Sequence, residues 1–357
     1  MRSPKLLVIK IGSNVLTLEN GLPDLEQMAE LVAQMAWLKN KGIQLVLVSS
    51  GAVAFGRKSF QPTDKIDPVV KKQIWASMGQ IELIQTYLQL FKGQGLQVAQ
   101  VLVTKEDFRD RKHYLNMRNC LMGLLKNGIL PIINENDAVA VTELMFTDND
   151  ELAGLTAAMI NADSLLLLTN VDGIYTGHPL EEGSELIQKV DRNTSDLKGY
   201  IRATSSSFGR GGMLTKMTMA QKSADLGIQV MIANGKKPGI IQDFFQQTIK
   251  GTYFEPQKPR DNAKKWLAHG EQYSKGEVVI NDGAAKALAS QKIISLLPIG
   301  VMGVNGDFAK GEIVRIVHEN GEKLGLGKAE YSAKTAQEKL GKHHQKAIIH
   351  YDYLYLF

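Results

Sequence analysis

Residues 207–216 read Ser207-Phe208-Gly209-Arg210-Gly211-Gly212-Met213-Leu214-Thr215-Lys216 and run directly into an apolar-periodic segment. Glycines leave backbone N–H groups free to wrap an anion. A helix start adds the positive end of its dipole, and Lys216 adds a full charge. A second lysine, Lys10, ends an apolar run and is followed at once by Ile11-Gly12-Ser13. Two lysines from distant parts of the chain, each beside glycine, suit phosphoryl transfer, which asks for positioning and charge neutralisation more than covalent chemistry. Neither stretch is a P-loop, because no G-x-x-x-x-G-K-[ST] string occurs, and no G-x-G-x-x-G follows the first apolar run.

Further polar clusters sit where apolar runs stop: Ser49-Ser50-Gly51-Ala52, Asn134-Glu135-Asn136-Asp137, Asp148-Asn149-Asp150 and the stretch from Thr169 to Tyr175. Asx residues favour turns by themselves. Together, the two acidic clusters suit holding the ammonium of an amino acid or orienting cationic lysines. Ser50 has no neighbouring His–Asp pair, which excludes a serine hydrolase triad. The twelve-residue calcium loop is absent. The histidines lack zinc spacing apart from the adjacent pair His343-His344 and are read as structural, so no protein-built metal site is expected. Arg109, Arg111, Lys112 and His113 read as a solvated helix face. Cys120, the single cysteine, is expected as a small buried residue in a helix.

The elements that must position these groups alternate. Buried strands are expected at Leu6–Ile11, Ile43–Val48, Gln97–Val103, Ile129–Ile133, Ser164–Thr169 and Ile228–Ala233. Amphipathic helices are expected at Asp24–Lys41, Val69–Phe91, Tyr114–Lys126, Glu151–Asn161 and Met213–Leu226. That alternation predicts an α/β fold, a mostly parallel sheet covered by helices on both faces. The clusters after strand ends then converge on one site outside the carboxyl edge of the sheet.

The chain has 357 residues, enough for two domains, with 44% hydrophobic and 22% charged residues. After Glu255 the character changes. A Pro- and Lys-containing linker at 256–273 separates a domain at 1–255 from a β-rich one at 274–357, with strand-like runs at Glu277–Ile280, Ile293–Leu297, Ile313–Val317 and Ala347–His350 and a short helix at Gly283–Ala289. The net charge of +5 is concentrated after residue 255, where 15 Lys/Arg face 11 Asp/Glu. This surplus permits RNA contact without requiring it. The apolar run near the start is too short for a signal segment and no run reaches membrane-spanning length, so a cytoplasmic protein without membrane attachment is expected.

Taken together, Val8–Ser13, Ser49–Ala54, Tyr114–Asn119, Pro131–Asp137, Asp148–Asp150 and Gly211–Lys216 resemble the amino acid kinase family, in its glutamate 5-kinase branch. The stretches Asn281–Leu288, Ser295–Gly300 and Gly303–Phe308 are similar to a PUA domain, a small pseudobarrel often found in RNA-modifying proteins. The resemblance covers essentially the whole chain. It implies a three-layer α/β/α sandwich plus a PUA pseudobarrel, ATP and Mg²⁺ as cofactors, and phosphorylation of L-glutamate as the first step of proline biosynthesis. Residue by residue, it implies that Lys10 and Lys216 contact the transferring phosphoryl group and that Asp150 orients them. Ser50, Asp137 and Asn149 hold glutamate. Lys10, Thr169, Asn170 and the run Gly211, Gly212, Met213, Leu214, Thr215 and Lys216 hold the nucleotide. It also implies a homo-oligomer, dimer or tetramer, inhibition by proline, and product handoff to a glutamyl-phosphate reductase, for which this chain has no room of its own. Two positions depart from the family pattern: Asn170 stands where Asp is common, and Arg210 where Thr is common. Other acceptors of the same family (aspartate, acetylglutamate or a nucleotide monophosphate) and an RNA-binding PUA protein are the alternatives.

Overall fold

The computed structural model describes residues 3–61, 66–139, 148–177, 181–190, 212–257, 267, 270–271, 274–290, 294–343 and 345–357. Contacts divide the chain into two compact units, Met1–Pro259 and Arg260–Phe357.

The first unit runs β1 (Leu6–Ile11), α1 (Leu25–Asn40), β2 (Gln44–Ser49), α2 (Ala52–Ser59), α3 (Pro68–Gly93), β3 (Val98–Val103), α4 (Glu106–Arg109), α5 (Arg111–Lys126), β4 (Leu130–Glu135), α6 (Asn149–Ile160), β5 (Ser164–Thr169), β6 (Lys189–Val190), α7 (Gly212–Asp225), β7 (Gln229–Asn234), α8 (Ile240–Gln246) and β8 (Thr252–Phe254). Its strands form one sheet in the order β3-β4-β2-β1-β5-β7-β8-β6. From β3 to β7 every neighbour is parallel. Strand β8 is antiparallel to β7, and β6 pairs parallel with β8, so these two strands at the edge run against the rest.

The apolar runs are continuous because both faces of the sheet are covered. Leu7, Ile9, Ile11, Leu45, Leu47, Leu166 and Leu168 pack on one face with Met28, Leu31 and Met35 of α1, Leu83, Tyr87 and Phe91 of α3, and Phe244 of α8. Val8, Val46, Leu165 and Leu167 are equally buried and alternate with them. Helices α5, α6 and α7 cover that second face, which completes three layers. Helix α6 is buried from Asp150 to Ile160, being lined by the sheet, α5 and α7.

Two connections decide where chemistry can occur. Gly51 at φ 108° turns the chain from β2 into α2, a conformation that a side chain disfavours. Helices α2 and α3 then cross at two glycines. A Cβ at Gly56 would lie 1.9 Å from the Trp75 carbonyl oxygen, and one at Gly79 would lie 1.8 Å from that of Ala52. This backbone-to-backbone contact fixes α3 over the ends of the strands.

The second unit comprises β9 (Gly276–Ile280), α9 (Asp282–Ala289), β10 (Val301–Gly306), β11 (Ile313–His318), β12 (Lys323–Ala329), α10 (Ala333–Lys339) and β13 (Ile349–Leu356), with sheet order β10-β9-β11-β12-β13. All neighbours are antiparallel except β9 and β11. Its own core gathers Val278, Ile280, Val314 and Ile316 under Leu288 of α9 and Ala336 of α10.

Several details differ from the sequence reading. Helix α2 was not expected, although Ala52, Phe55 and Gly56 form a short buried face on it. Helix α5 starts at Arg111, capped by Asp110, whose Oδ1 accepts from the His113 N–H at 2.8 Å. The run expected as a strand at Ile293–Leu297 begins outside the described residues at Ile293, and its described part makes only an isolated bridge from Leu296 to Ile349. Strands β10 and β12 were hidden by their glycines. In β12 these are required by close packing, since a Cβ at Gly325 would sit 2.1 Å from the Tyr355 carbonyl oxygen. Cys120, expected to be buried, is exposed on α5. Among the described residues, no helix is long and apolar enough to cross a membrane.

Candidate active site

Lys10 is the fifth residue of β1, a central strand, and its side chain is buried there. A buried ammonium needs a partner. Asp150 supplies it from the second position of α6. Its Oδ1 lies 2.6 Å from the Lys10 Nζ, and its Oδ2 lies 2.8 Å from the Lys216 Nζ of α7. The helices that carry these groups meet because Gly154, one turn beyond Asp150, has no side chain. A Cβ there would lie 2.9 Å from the Met219 Cε and 3.1 Å from the Ser223 Oγ. Met219 is one turn beyond Lys216, so this close approach is what delivers Lys216 to Asp150.

The electrostatics follow from burial. Desolvation works against the Asp150 charge, but Lys10 and Lys216 overcome it and hold the carboxyl below its ordinary range. Burial likewise opposes the Lys216 charge, and Asp150 outweighs it, raising that pKa. Asp148 caps α6, its Oδ1 accepting from the N–H groups of Asp150 at 2.8 Å and Glu151 at 3.2 Å. Burial first, then the Asp150 charge, pushes the Asp148 carboxyl up to about 6 against the pull of the lysines. One turn-neighbour further, Glu151 forms a buried ion pair with Lys105 at 3.3 Å, anchoring the start of α6.

A second set of groups continues from the same helix end. The Asn149 Nδ2 lies 2.9 Å from the Ser50 Oγ, 3.2 Å from the Ser49 carbonyl oxygen and 3.0 Å from the Asn134 Oδ1. Asn134 in turn donates to the Gln80 Oε1 of α3 at 2.8 Å. Asp137 stands apart from this network and pairs with Lys72 of α3 at 3.0 Å. Beside it lies a cavity of about 330 Å³ lined by Ala52, Ala76, Gln80, Asn136 and Asp137, with an apolar side formed by Ile81, Ile84 and Leu102.

At the third edge, Thr169 ends β5, and its Oγ1 donates to the Asn170 Oδ1 at 3.4 Å. Strand β5 is the direct neighbour of β1, and the Gly12 N–H donates to the Leu168 carbonyl oxygen at 3.0 Å. A Cβ at Gly12 would approach the Lys10 Nζ to 3.5 Å, so glycine leaves room for a ligand at that ammonium. Met213, Thr215 and Lys216 lie in the first turns of α7, which begins at Gly212 and includes Leu214. Gly211, with the rest of 207–211, lies outside the described residues.

Sequence reasoning thus named Lys10, Lys216, Asp150, Ser50 and Asn149, which the fold brings together. It missed Asn134 as a network partner, and it missed Gln80 and Lys72, whose i, i+8 spacing on α3 was the available signal. It placed Asp172 in the Thr169–Tyr175 cluster but missed its partners at the end of β7. There the Lys237 Nζ donates to the Asp172 Oδ2 at 2.6 Å and the Asn234 Nδ2 donates to the Asp172 Oδ1 at 3.0 Å. Burial opposes the charge of Asp172, but these two donors outweigh it and hold the carboxyl below its ordinary range.

A buried carboxylate clamped by two lysines at the carboxyl edge of a parallel sheet, beside a glycine, has the charges and the placement that suit phosphoryl transfer. The sequence profile of the Amino acid kinase family matches residues 5–234, and that of the PUA domain matches residues 276–351. The chain belongs to the amino acid kinase family and carries a C-terminal PUA domain. Membership of a kinase family brings ATP use with it. The chain is 47% identical over 353 residues to a glutamate 5-kinase of Bacteroides thetaiotaomicron, covering 98% of each chain. It is 48% identical over 351 residues to a glutamate 5-kinase of Chlorobaculum tepidum, covering 98% of this chain and 97% of the other. Among solved structures, an isopentenyl phosphate kinase superposes with a TM-score of 0.50 at 15% identity, covering 70% of this chain and 99% of that one. This last likeness concerns the fold alone.

Proposed function

We propose that this chain transfers the γ-phosphoryl group of ATP to the γ-carboxylate of L-glutamate, giving L-glutamyl 5-phosphate and ADP, the first step of proline biosynthesis. The observation that carries the reading is the Lys10–Asp150–Lys216 clamp, found in a chain nearly half identical to glutamate 5-kinases along its whole length.

The acceptor carboxylate is already ionised near neutral pH, its reference pKa being about 4.3. No general base is needed, and the chemistry reduces to alignment and charge neutralisation. Lys10 and Lys216 supply two cations for the transferring phosphoryl oxygens. Asp150 converges both ammonium groups, which presets the positive charges that the phosphoryl oxygens need. Gly12 admits phosphate close to Lys10. Thr169, Asn170 and the start of α7 hold the nucleotide, and Ser50, Asn149 and Asp137 hold glutamate. The carboxylates beside the lysines are already committed, Asp150 to two ion pairs and Asp148 to the helix cap. This donor set does not build a metal cage. Mg²⁺ would be held mainly by the nucleotide phosphates and water, and would supply further neutralisation of phosphate charge beside Lys10 and Lys216.

The product is a mixed anhydride open to hydrolysis, which supports prompt handoff to a glutamyl-phosphate reductase; a homo-oligomeric assembly is proposed from the likeness to glutamate 5-kinases alone. An ADP-release assay across glutamate, aspartate, N-acetylglutamate and a nucleoside monophosphate tests the reading. Glutamate is expected to exceed each other acceptor in kcat/KM by roughly a hundredfold or more. Faster turnover of any other acceptor overturns the assignment.

A further inference from the structure

Lys72, Ala76 and Gln80 occupy successive turns of α3 at i, i+4 and i+8, and all three face the end of β4 and the turn that follows it. Gln80 accepts from Asn134, Ala76 lines the cavity, and Lys72 reaches Asp137. The helix is held there by the glycine contact with α2, so its register over that turn is set by the fold. The ion pair at its end is unlike the one at Asp150. The Lys72 side chain is 48% exposed, against 15% for Asp137. A long, solvated lysine on an exposed pair makes a weak structural tie. It is, however, well suited to exchanging partners.

We propose that Lys72 is a specificity residue that binds the α-carboxylate of the acceptor while Asp137 binds its ammonium. An α-amino acid carries both charges on one carbon. The Lys72–Asp137 pair presents the two opposite charges side by side, 3.0 Å apart, beside a cavity whose apolar wall accommodates a methylene chain. Lys72 offsets the charge of Asp137 within the fold. When the zwitterion binds, that one ion pair is replaced by two, and no charge is left unmatched. Lys10 and Lys216 are unsuited to this task because both are committed to Asp150 at the phosphoryl end. The inference rests on the reading of glutamate as acceptor.

The test compares glutamate with 4-aminobutyrate, which keeps the reacting carboxylate and the ammonium but lacks the α-carboxylate. The wild-type chain is expected to favour glutamate strongly in kcat/KM. Where 4-aminobutyrate turns over too slowly, its Ki as a competitor of glutamate replaces kcat/KM. In Lys72→Met the preference for glutamate falls by roughly tenfold or more, through a raised KM for glutamate, while the KM for ATP stays within about twofold. Lys72→Arg, which keeps the cation, retains most of the preference. Equal losses for both compounds reduce Lys72 to a structural partner of Asp137 and overturn the proposal, as does an unchanged preference in a folded Lys72→Met protein. Absence of any wild-type turnover with glutamate is a different result, and it removes the functional reading itself.

Discussion

The two ends of the site hold their charges in opposite ways. Around Asp150 one carboxylate and two ammonium groups are withdrawn from water, with Asp150 fully buried, Lys10 nearly so, and Lys216 only 16% exposed. Around Asp137 a single pair sits half in solvent. Buried ions are expensive to desolvate, and removing one partner strands the other. Exposed pairs cost little to break. The difference teaches which charges are fixed scaffold and which are exchangeable with ligand. On the proposed function, the buried group offers a constant field to the phosphoryl group, and the exposed pair trades its internal contact for the acceptor.

Perturbing the two ends should therefore give unequal losses. The largest belongs to Asp150→Ala, which leaves Lys10 and Lys216 without their shared counter-ion. A destabilisation of about 3–5 kcal/mol is expected, together with loss of turnover. Chemical denaturation measures it, and a midpoint equal to the wild type would contradict the buried-clamp account. Asp137→Asn should leave stability nearly unchanged. It should raise the KM for glutamate by roughly thirtyfold, corresponding to about 2 kcal/mol, with the KM for ATP unaffected. An unchanged KM for glutamate would separate Asp137 from the acceptor.

The third effect depends on pH. Burial and the neighbouring Asp150 raise the Asp148 carboxyl to about 6, so folding favours its neutral form. That contribution is fully present below the ordinary carboxylate pKa of about 3.9 and is lost as pH rises through 6. Asp148→Asn keeps the capping oxygen and cannot ionise. Its stability relative to wild type should grow between about pH 4 and 6 and level off above, by about 1–3 kcal/mol. A pH-independent difference would show that Asp148 does not titrate there. The smallest effect should follow removal of the chain after Pro259. The first unit has its own core, and the Gln257 N–H still donates to the Ala224 carbonyl oxygen at 2.8 Å, which argues for a cut beyond 257 rather than at 255. Circular dichroism followed by kinetics checks this, and a folded but inactive truncation would assign the second unit a part in the site.

Much of the phosphoryl end was legible in the sequence. Lys10 and Asp150 are charged residues set against apolar periodicity, and a charge in a buried strand or at a buried helix start demands an explanation. The parallel sheet was equally legible, because continuous apolar runs such as Leu6–Ile9 and Leu165–Leu168 have few other solutions. The acceptor end was less so. Lys72 and Gln80 are polar residues on a long helix with many polar residues, and only the glycine crossing at Gly56 and Gly79 tells which face meets the Asn134–Asp137 turn. The second unit was read only in part, because its glycines serve close strand packing and imitate loop composition. Cys120 was misplaced because burial of a lone cysteine is a tendency of the residue type, while its position on α5 decides its exposure.

The central claim is that transfer is driven by two lysines converged by Asp150. Its most direct test is the kcat of Lys10→Ala and of Lys216→Ala at saturating ATP and glutamate, measured on protein shown to be folded by circular dichroism. Each is expected to fall by roughly a hundredfold to a thousandfold. A folded variant of either lysine that keeps a near-normal kcat would contradict the account.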